Sequence, residues 1–192
     1  MPHIKVNEDL PGIRSLMAFS PETAAPMGEL ANLLLRTNEG LTMAERELIA
    51  TYVSYLNDCF YCQHSHGAIV TCYLNDHNEL VNQVIKDLDR APVSDKLRAL
   101  LHIAGSAQKG GKFVTDEQVK TAKRFGATDR DIHDTVLITA AFCMFNRYVD
   151  GLASQTPTDM SSYPLRARQI AERGYGNHIF INKQPVAEEQ QG

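Results

Sequence analysis

Clustered positive charge is what this chain most conspicuously lacks. No block of lysine and arginine stands out, and the formal net charge is −4. That balance argues against nucleic acid or an anionic membrane as the main partner, since both are held by concentrated cationic groups. Long hydrophobic runs are missing too. The longest apolar stretch, from Val136 to Phe145, is interrupted by Thr139 and falls far short of the roughly 20 residues that cross a bilayer. Met1-Pro2-His3-Ile4-Lys5 lacks the charged-then-apolar pattern of a secretory leader, so a soluble cytoplasmic protein is expected. Cysteine is sparse, with four residues. In such a setting they point to catalysis or metal binding rather than to structural crosslinks. Internal repeats, low-complexity runs and linkers are absent, and no stretch before the C-terminal segment alternates as a strand would.

What the chain has instead is helical punctuation. Ser20-Pro21-Glu22 predicts a helix start, with serine as cap and proline at the first helical position. That helix is expected to run through Leu30, Leu33 and Leu34 and to stop near Asn38-Glu39-Gly40. Thr42-Met43-Ala44-Glu45 reads as a capping box, followed by an apolar stripe of Leu48, Ile49, Tyr52, Val53 and Leu56 at helical spacing. A further helix starts around Cys59, and another follows Asn75-Asp76 through Leu88. Pro92 to Ser94 opens the next, which Gly110-Gly111 ends. Thr115 to Gln118 looks like a second capping box, with Gly126 as the stop. Thr128 to Asp131 starts a long helix through Met144. The reading is one all-α domain over residues 1–155. The segment 156–192, with Pro157, Pro164 and Pro185 and weak periodicity, is expected to wrap a neighbouring subunit or to fray. Ile179-Phe180-Ile181 within it is short enough to be extended.

Chemistry concentrates at Cys59-Phe60-Tyr61-Cys62, with His66 one turn on and Glu47 one helix earlier. Cys59, Cys62 and His66 share one helical face. Asn57-Asp58 places both thiols at a helix start, where the dipole favours thiolate. His66 is placed to take the Cys62 proton, and Glu47 to orient His66 or to accept in turn, provided its helix packs alongside with Glu47 turned inward. Ala50, Thr51 and Ser54 supply a small-residue face for that approach. A Cys62 thiolate would attack a peroxide and become sulfenic acid, and Cys59 would condense with it to a disulfide. Cys62 takes the first role by its closeness to His66. Cys59 takes the second, being expected nearer the helix start where a reductant could reach it.

Other readings of the same residues remain open. Cys59, Cys62, His66 and Glu47 could together hold zinc, although no second C-x-x-C or H-x-x-H pair exists. His64 is expected to face solvent, and Tyr61 to pack rather than react. Cys72 and Cys143 read as buried small hydrophobes. Asn146-Arg147, at the end of an apolar helix, suggests a buried polar contact, either a structural salt bridge or a role toward substrate.

Glu47-x11-Cys59-x2-Cys62-x3-His66, with Leu41-Thr42, Glu45 to Ala50 and His66-Gly67-Ala68 around it, resembles the signature of the AhpD-like alkylhydroperoxidases. These belong to the carboxymuconolactone decarboxylase superfamily. Phe145-Asn146-Arg147 and Gly151-Leu152 extend the resemblance, which covers roughly residues 10–155 and lies with the peroxidase-related branch. It implies an all-α helical bundle assembled as a homo-oligomer of trimers or hexamers. It also implies thiol peroxidase chemistry that needs neither metal nor haem, with a small hydroperoxide as substrate and an external thiol as reductant. By that resemblance Cys62 is peroxidatic, Cys59 resolving, and Glu47 and His66 the proton relay. Tyr61 stands where the well-studied members carry a histidine, so one proton-transfer group is missing. The decarboxylase branch generally lacks the cysteine pair. Two alternatives stand beside the peroxidase: a thiol–disulfide oxidoreductase or redox sensor with little peroxide turnover, and a metal-binding or assembly protein.

Overall fold

The computed structural model describes residues 1–75 and 79–175. Among them are nine α-helices and no strand. The helices are α1 (Ile13–Phe19), α2 (Pro21–Leu35), α3 (Met43–Leu56), α4 (Phe60–Leu74), α5 (Glu79–Lys86), α6 (Asp95–Lys109), α7 (Asp116–Arg124), α8 (Asp129–Gly151) and α9 (Ser162–Arg173). A 3₁₀ turn, Gly111–Phe113, joins α6 to α7. No helix among the described residues is long and apolar enough to cross a membrane. Ile179-Phe180-Ile181 lies outside the described residues.

The helix starts follow the local chemistry. Thr42 accepts from the Glu45 amide while the Glu45 carboxylate accepts from the Thr42 amide. Thr115 with Gln118 and Thr128 with Asp131 close the same reciprocal box. Ser94 caps α6 through the Leu97 amide. Ser20 behaves otherwise: its hydroxyl donates to the Glu22 carboxylate at 2.6 Å and caps no amide. Pro21 still opens α2, where its missing N–H costs nothing. The helix stops at Leu35, short of the expected Asn38. Arg36 leaves it to donate to the Ile170 and Ala171 carbonyls at the end of α9. α1 is not foreshadowed in the sequence, since it has neither a side-chain cap nor an acidic first turn.

α3 is the central element, packed on α4, α6 and α8. Leu48, Ile49, Ala50 and Val53 are fully enclosed, while Tyr52 and Leu56 are half-buried. The small-residue face does let α4 come close. A Cβ placed on Gly67 would lie 3.5 Å from the Thr51 methyl.

Beside this face sits a buried ion pair. Arg46, 1% exposed, donates to the carbonyls of Leu34, Glu39 and Leu41 and to Asp134 at 2.7 Å.

The segment beyond residue 155 differs from its expected behaviour as a tail. Through Tyr175 it belongs to the core of its own chain, because α9 packs on α4. Tyr163, Ala167 and Ile170 form a buried stripe at helical spacing. Pro157 and Pro164 obscure that stripe in the sequence, yet Pro164 falls in the first turn, where no amide bond is lost.

Burial resists charge on Asp134, but hydrogen bonds from His133, Arg46 and Arg130 outweigh it and hold the carboxyl below its usual range. A carboxyl that ionises more readily folded than unfolded stabilises fully above its unfolded value, about 3.9. That contribution fades as pH falls through the folded value. Asp134→Asn leaves the Arg46 guanidinium buried without its counter-charge and is expected to cost roughly 3–5 kcal/mol. Urea unfolding at pH 7 and at pH 3 checks this, and the gap between wild type and variant is expected to narrow at the lower pH.

Candidate active site

The turn between α3 and α4 is built before any chemistry enters. Asp58 adopts a left-handed backbone, φ 58°, to reverse the chain. The Cys59 amide donates to the Ser54 carbonyl at 2.9 Å. Asn57 donates to Asn146 at 2.8 Å, Asn146 donates to Ser54 at 3.0 Å, and Gln108 donates to Asn57 at 2.9 Å. Asn146, 1% exposed, therefore fulfils the expected buried polar contact, and its task is to fix the turn that launches Cys59. Arg147 is exposed and donates only to the Cys143 carbonyl of its own helix, with no ion pair among the described residues. Cys72 and Cys143 are half-buried rather than buried, and Cys143 sits against the Asn57 amide at 3.6 Å.

Cys59 occupies the N-cap position of α4 and Cys62 its first turn, both as free thiols. Cys59 is fully enclosed and Cys62 is 5% exposed. This reverses the expected order of access, because the path to solvent runs past Cys62. The expectation that the helix start lowers both thiols also fails at Cys59. Its thiol is pushed far up, first by its hydrogen bond with the Cys62 sulfur and then by burial.

His66 and Glu47 come together as the spacing requires. His66 Nδ1 lies 2.7 Å from Glu47 Oε2, and Glu47 is fully buried. With Glu47 ionised, Nδ1 carries the ring proton, and Nε2 has no partner among the described residues. Phe142 of α8 braces the imidazole edge-on, centroids 4.6 Å apart at 85°. His64 lies off this face, half-buried, with its ring on Phe60 at 3.9 Å and its Nδ1 2.8 Å from the Phe60 carbonyl.

A third partner is Tyr175, which sequence reasoning missed. Its hydroxyl donates to Glu47 Oε1 at 2.5 Å and stands 3.1 Å from His66 Nδ1. Burial first, then the Glu47 charge and this hydrogen bond, hold the phenol well above its usual range, so it stays a neutral donor. Tyr175 is held by its amide donating to Asn32 Oδ1 at 2.7 Å. Gly28, in the middle of α2, leaves room for it, since a Cβ there would come within 2.9 Å of the Tyr175 carbonyl oxygen. That mid-helix glycine is the one sequence signal of a close approach to α2, though it does not name the visitor.

Cys62, Ser65 and His66 face a cavity of about 140 Å³. Met17, Tyr61, Phe142, Phe145 and Tyr163 enclose it, and its wall is mostly apolar. Tyr61 packs as expected. It is backed onto Gly12, whose backbone has φ 56° and where any Cβ would collide with the ring. Among the described residues no three His, Cys, Asp or Glu side chains converge to hold a metal ion. Glu47 commits both oxygens to His66 and Tyr175.

No curated protein matches the chain significantly. Residues 21–71, which contain all four of Glu47, Cys59, Cys62 and His66, match the carboxymuconolactone decarboxylase family model. A protein from Ralstonia eutropha JMP134, described as an alkylhydroperoxidase AhpD core and uncharacterized peroxidase-related protein, is similar in structure. Its TM-score is 0.71 and its identity 27%, with 79% of each chain covered. An uncharacterized peroxidase-related protein from Silicibacter sp. TM1040 has the same TM-score at 28% identity, over 80% of this chain and 78% of that one. A protein of unknown function from Agrobacterium tumefaciens shares the fold at 21% identity, with TM-score 0.66, over 83% of this chain and all of that one. The family-model match falls on the helices that carry the site, and the chain is similar along most of its length to AhpD-like, peroxidase-related proteins.

Proposed function

We propose that the protein is a thiol-dependent peroxidase that reduces hydrogen peroxide or organic hydroperoxides through Cys62 and Cys59. The observation that carries this reading is the shared wall of one apolar cavity. Cys62 and His66 border it, and the buried Glu47 carboxylate holds His66 from behind at 2.7 Å. His66 Nε2 takes the Cys62 proton. Cys59 keeps its own proton, in keeping with its raised thiol, and donates it to the Cys62 sulfur. The thiolate attacks the terminal peroxide oxygen, the O–O bond breaks, and the proton held by His66 goes to the departing alkoxide. Cys62 is then a sulfenic acid and the product an alcohol, or water from hydrogen peroxide. Cys59 sulfur attacks Cys62 sulfur, releasing water and closing the disulfide. An external dithiol restores the pair, being oxidised as the disulfide is reduced. Because Cys59 is enclosed, that reductant meets the disulfide at Cys62, through the cavity. A reducing compartment such as the cytoplasm would supply it.

Two groups of variants test the chemistry. Cys62→Ser is expected to abolish peroxide consumption, while Cys59→Ser retains one turnover and leaves a sulfenic acid that dimedone traps. Mass spectrometry of peroxide-treated wild type should link Cys59 to Cys62. A dominant bond through Cys72 or Cys143 would sink the assignment.

Glu47→Gln and His66→Ala are each expected to slow the stopped-flow burst by roughly 10²–10⁴-fold, and the double variant little more than either alone. Tyr175→Phe keeps the ring and loses one hydrogen bond to a charged group, so about a tenfold to hundredfold loss is expected. An unchanged burst and pH profile in folded variants would return all three residues to structural roles.

The assembly is proposed to be a homo-oligomer. Leu33, Phe113 and Leu165 leave large apolar side chains in water on the single chain. Light scattering is expected to give a mass of three or six chains, and a stable monomer at micromolar concentration would count against it.

A further inference from the structure

Two arginines border the cavity in front of Cys62, and nothing in the peroxidase chemistry above uses them. Arg14 reaches it from α1 and Arg166 from α9. Arg14 Nε is buried without a hydrogen-bond partner among the described residues. Among the described residues Arg166 donates only to the neutral Gln169 amide oxygen, at 3.1 Å. Neither guanidinium forms an ion pair among the described residues, and no carboxylate is among the residues lining the cavity. Burial, and then the Arg14 charge, pull Arg166 below the ordinary arginine range. Two like charges thus share a half-buried wall with a donor unmet among the described residues, in a protein whose net charge is negative. Buried donors and charges normally find partners, so the partner this wall fits is an anion brought in from outside.

The rest of the cavity says what that anion is attached to. Met17, Ile69, Phe142, Phe145 and Ile170 line it, so the body is apolar. A volume of about 140 Å³ exceeds by several-fold the roughly 30 Å³ that one water occupies in the liquid. Hydrogen peroxide, little larger than water, would leave it largely unfilled.

We infer that the cavity binds a small organic hydroperoxide bearing a carboxylate, with Arg14 and Arg166 holding the carboxylate and the apolar body directing the peroxide group to Cys62. A guanidinium matches a carboxylate with paired N–H donors, and an anion lying between two arginines relieves their mutual repulsion. The reaction is unchanged: Cys62 sulfur takes the terminal oxygen and the product is the corresponding hydroxy acid. This inference rests on the peroxidase reading for the peroxide group, and on the cavity alone for the carboxylate.

The test separates those two supports. Reduced wild-type protein is alkylated at Cys62 with iodoacetamide in the presence of hexanoate or of methyl hexanoate, its neutral ester, and the concentration giving half protection is compared. Hexanoate is expected to protect at roughly tenfold lower concentration than the ester. That difference should vanish in Arg14→Gln and in Arg166→Gln. Peroxide consumption is then measured with ω-hydroperoxyhexanoate and its methyl ester, and the acid is expected to have the lower KM by a similar factor. Equal protection by acid and ester in wild type, which needs no variant to fold, overturns the proposal. So does an acid preference that survives both substitutions. Turnover of both hydroperoxides without an acid preference refutes the substrate class and leaves the peroxidase reading standing. Preferential protection by hexanoate without any turnover supports the carboxylate site and refutes the peroxidase.

Discussion

A buried guanidinium must find acceptors for its N–H groups or it costs more than it contributes. Arg46 meets that demand with four hydrogen bonds, to Leu34, Glu39, Leu41 and Asp134. These partners lie at the end of α2, in the loop before α3, and on α8. The first turn of α3 is thereby clamped from three directions. Glu47 is the next residue, about 100° further round the helix, so the same clamp turns its carboxylate toward His66 on α4. The Arg46–Asp134 ion pair and the Glu47–His66 contact start from neighbouring residues and depend on one rotation of one helix.

The site itself is an agreement among elements distant in the chain. α3 brings Glu47, α4 brings the thiols and His66, α8 brings Phe142, and the residues after α9 bring Tyr175. Together they leave the imidazole little freedom: Nδ1 is held by a carboxylate and its edge lies on a phenyl ring. Such pre-positioning is what makes a proton acceptor effective. The enclosure of Cys59 has a related consequence, because a thiol that solvent cannot reach is protected from oxidation by dissolved oxidants.

How much of this is legible in the sequence varies with the range of the interaction. The capping boxes at Thr42, Thr115 and Thr128 can be read directly, since each involves residues three apart. The meeting of Glu47 with His66 is legible because a turn of fixed length joins two regular helices. α1 is silent, having no cap, and the α9 stripe is masked by its prolines. Tyr175 could not be found by periodicity or motif, because it lies outside any helix. Its partners are fixed by α9 packing, by Asn32 and by the gap at Gly28. Relative access of the two cysteines is likewise a tertiary property. Position at the start of a helix says which amides a thiol meets, not what covers it.

Tyr175 reaches Glu47 and His66 from a long way down the chain, 109 positions beyond His66. At the roughly 5–20 residues per second of ribosomal synthesis, Cys59, Cys62 and His66 are made on the order of ten seconds before the phenol exists. Throughout that interval Glu47 lacks its second hydrogen-bond donor, and α9, which covers part of the cavity, is not yet there to pack on α4. The order of translation thus withholds the complete thiol centre until the rest of the bundle has been made, a form of timing written into chain connectivity.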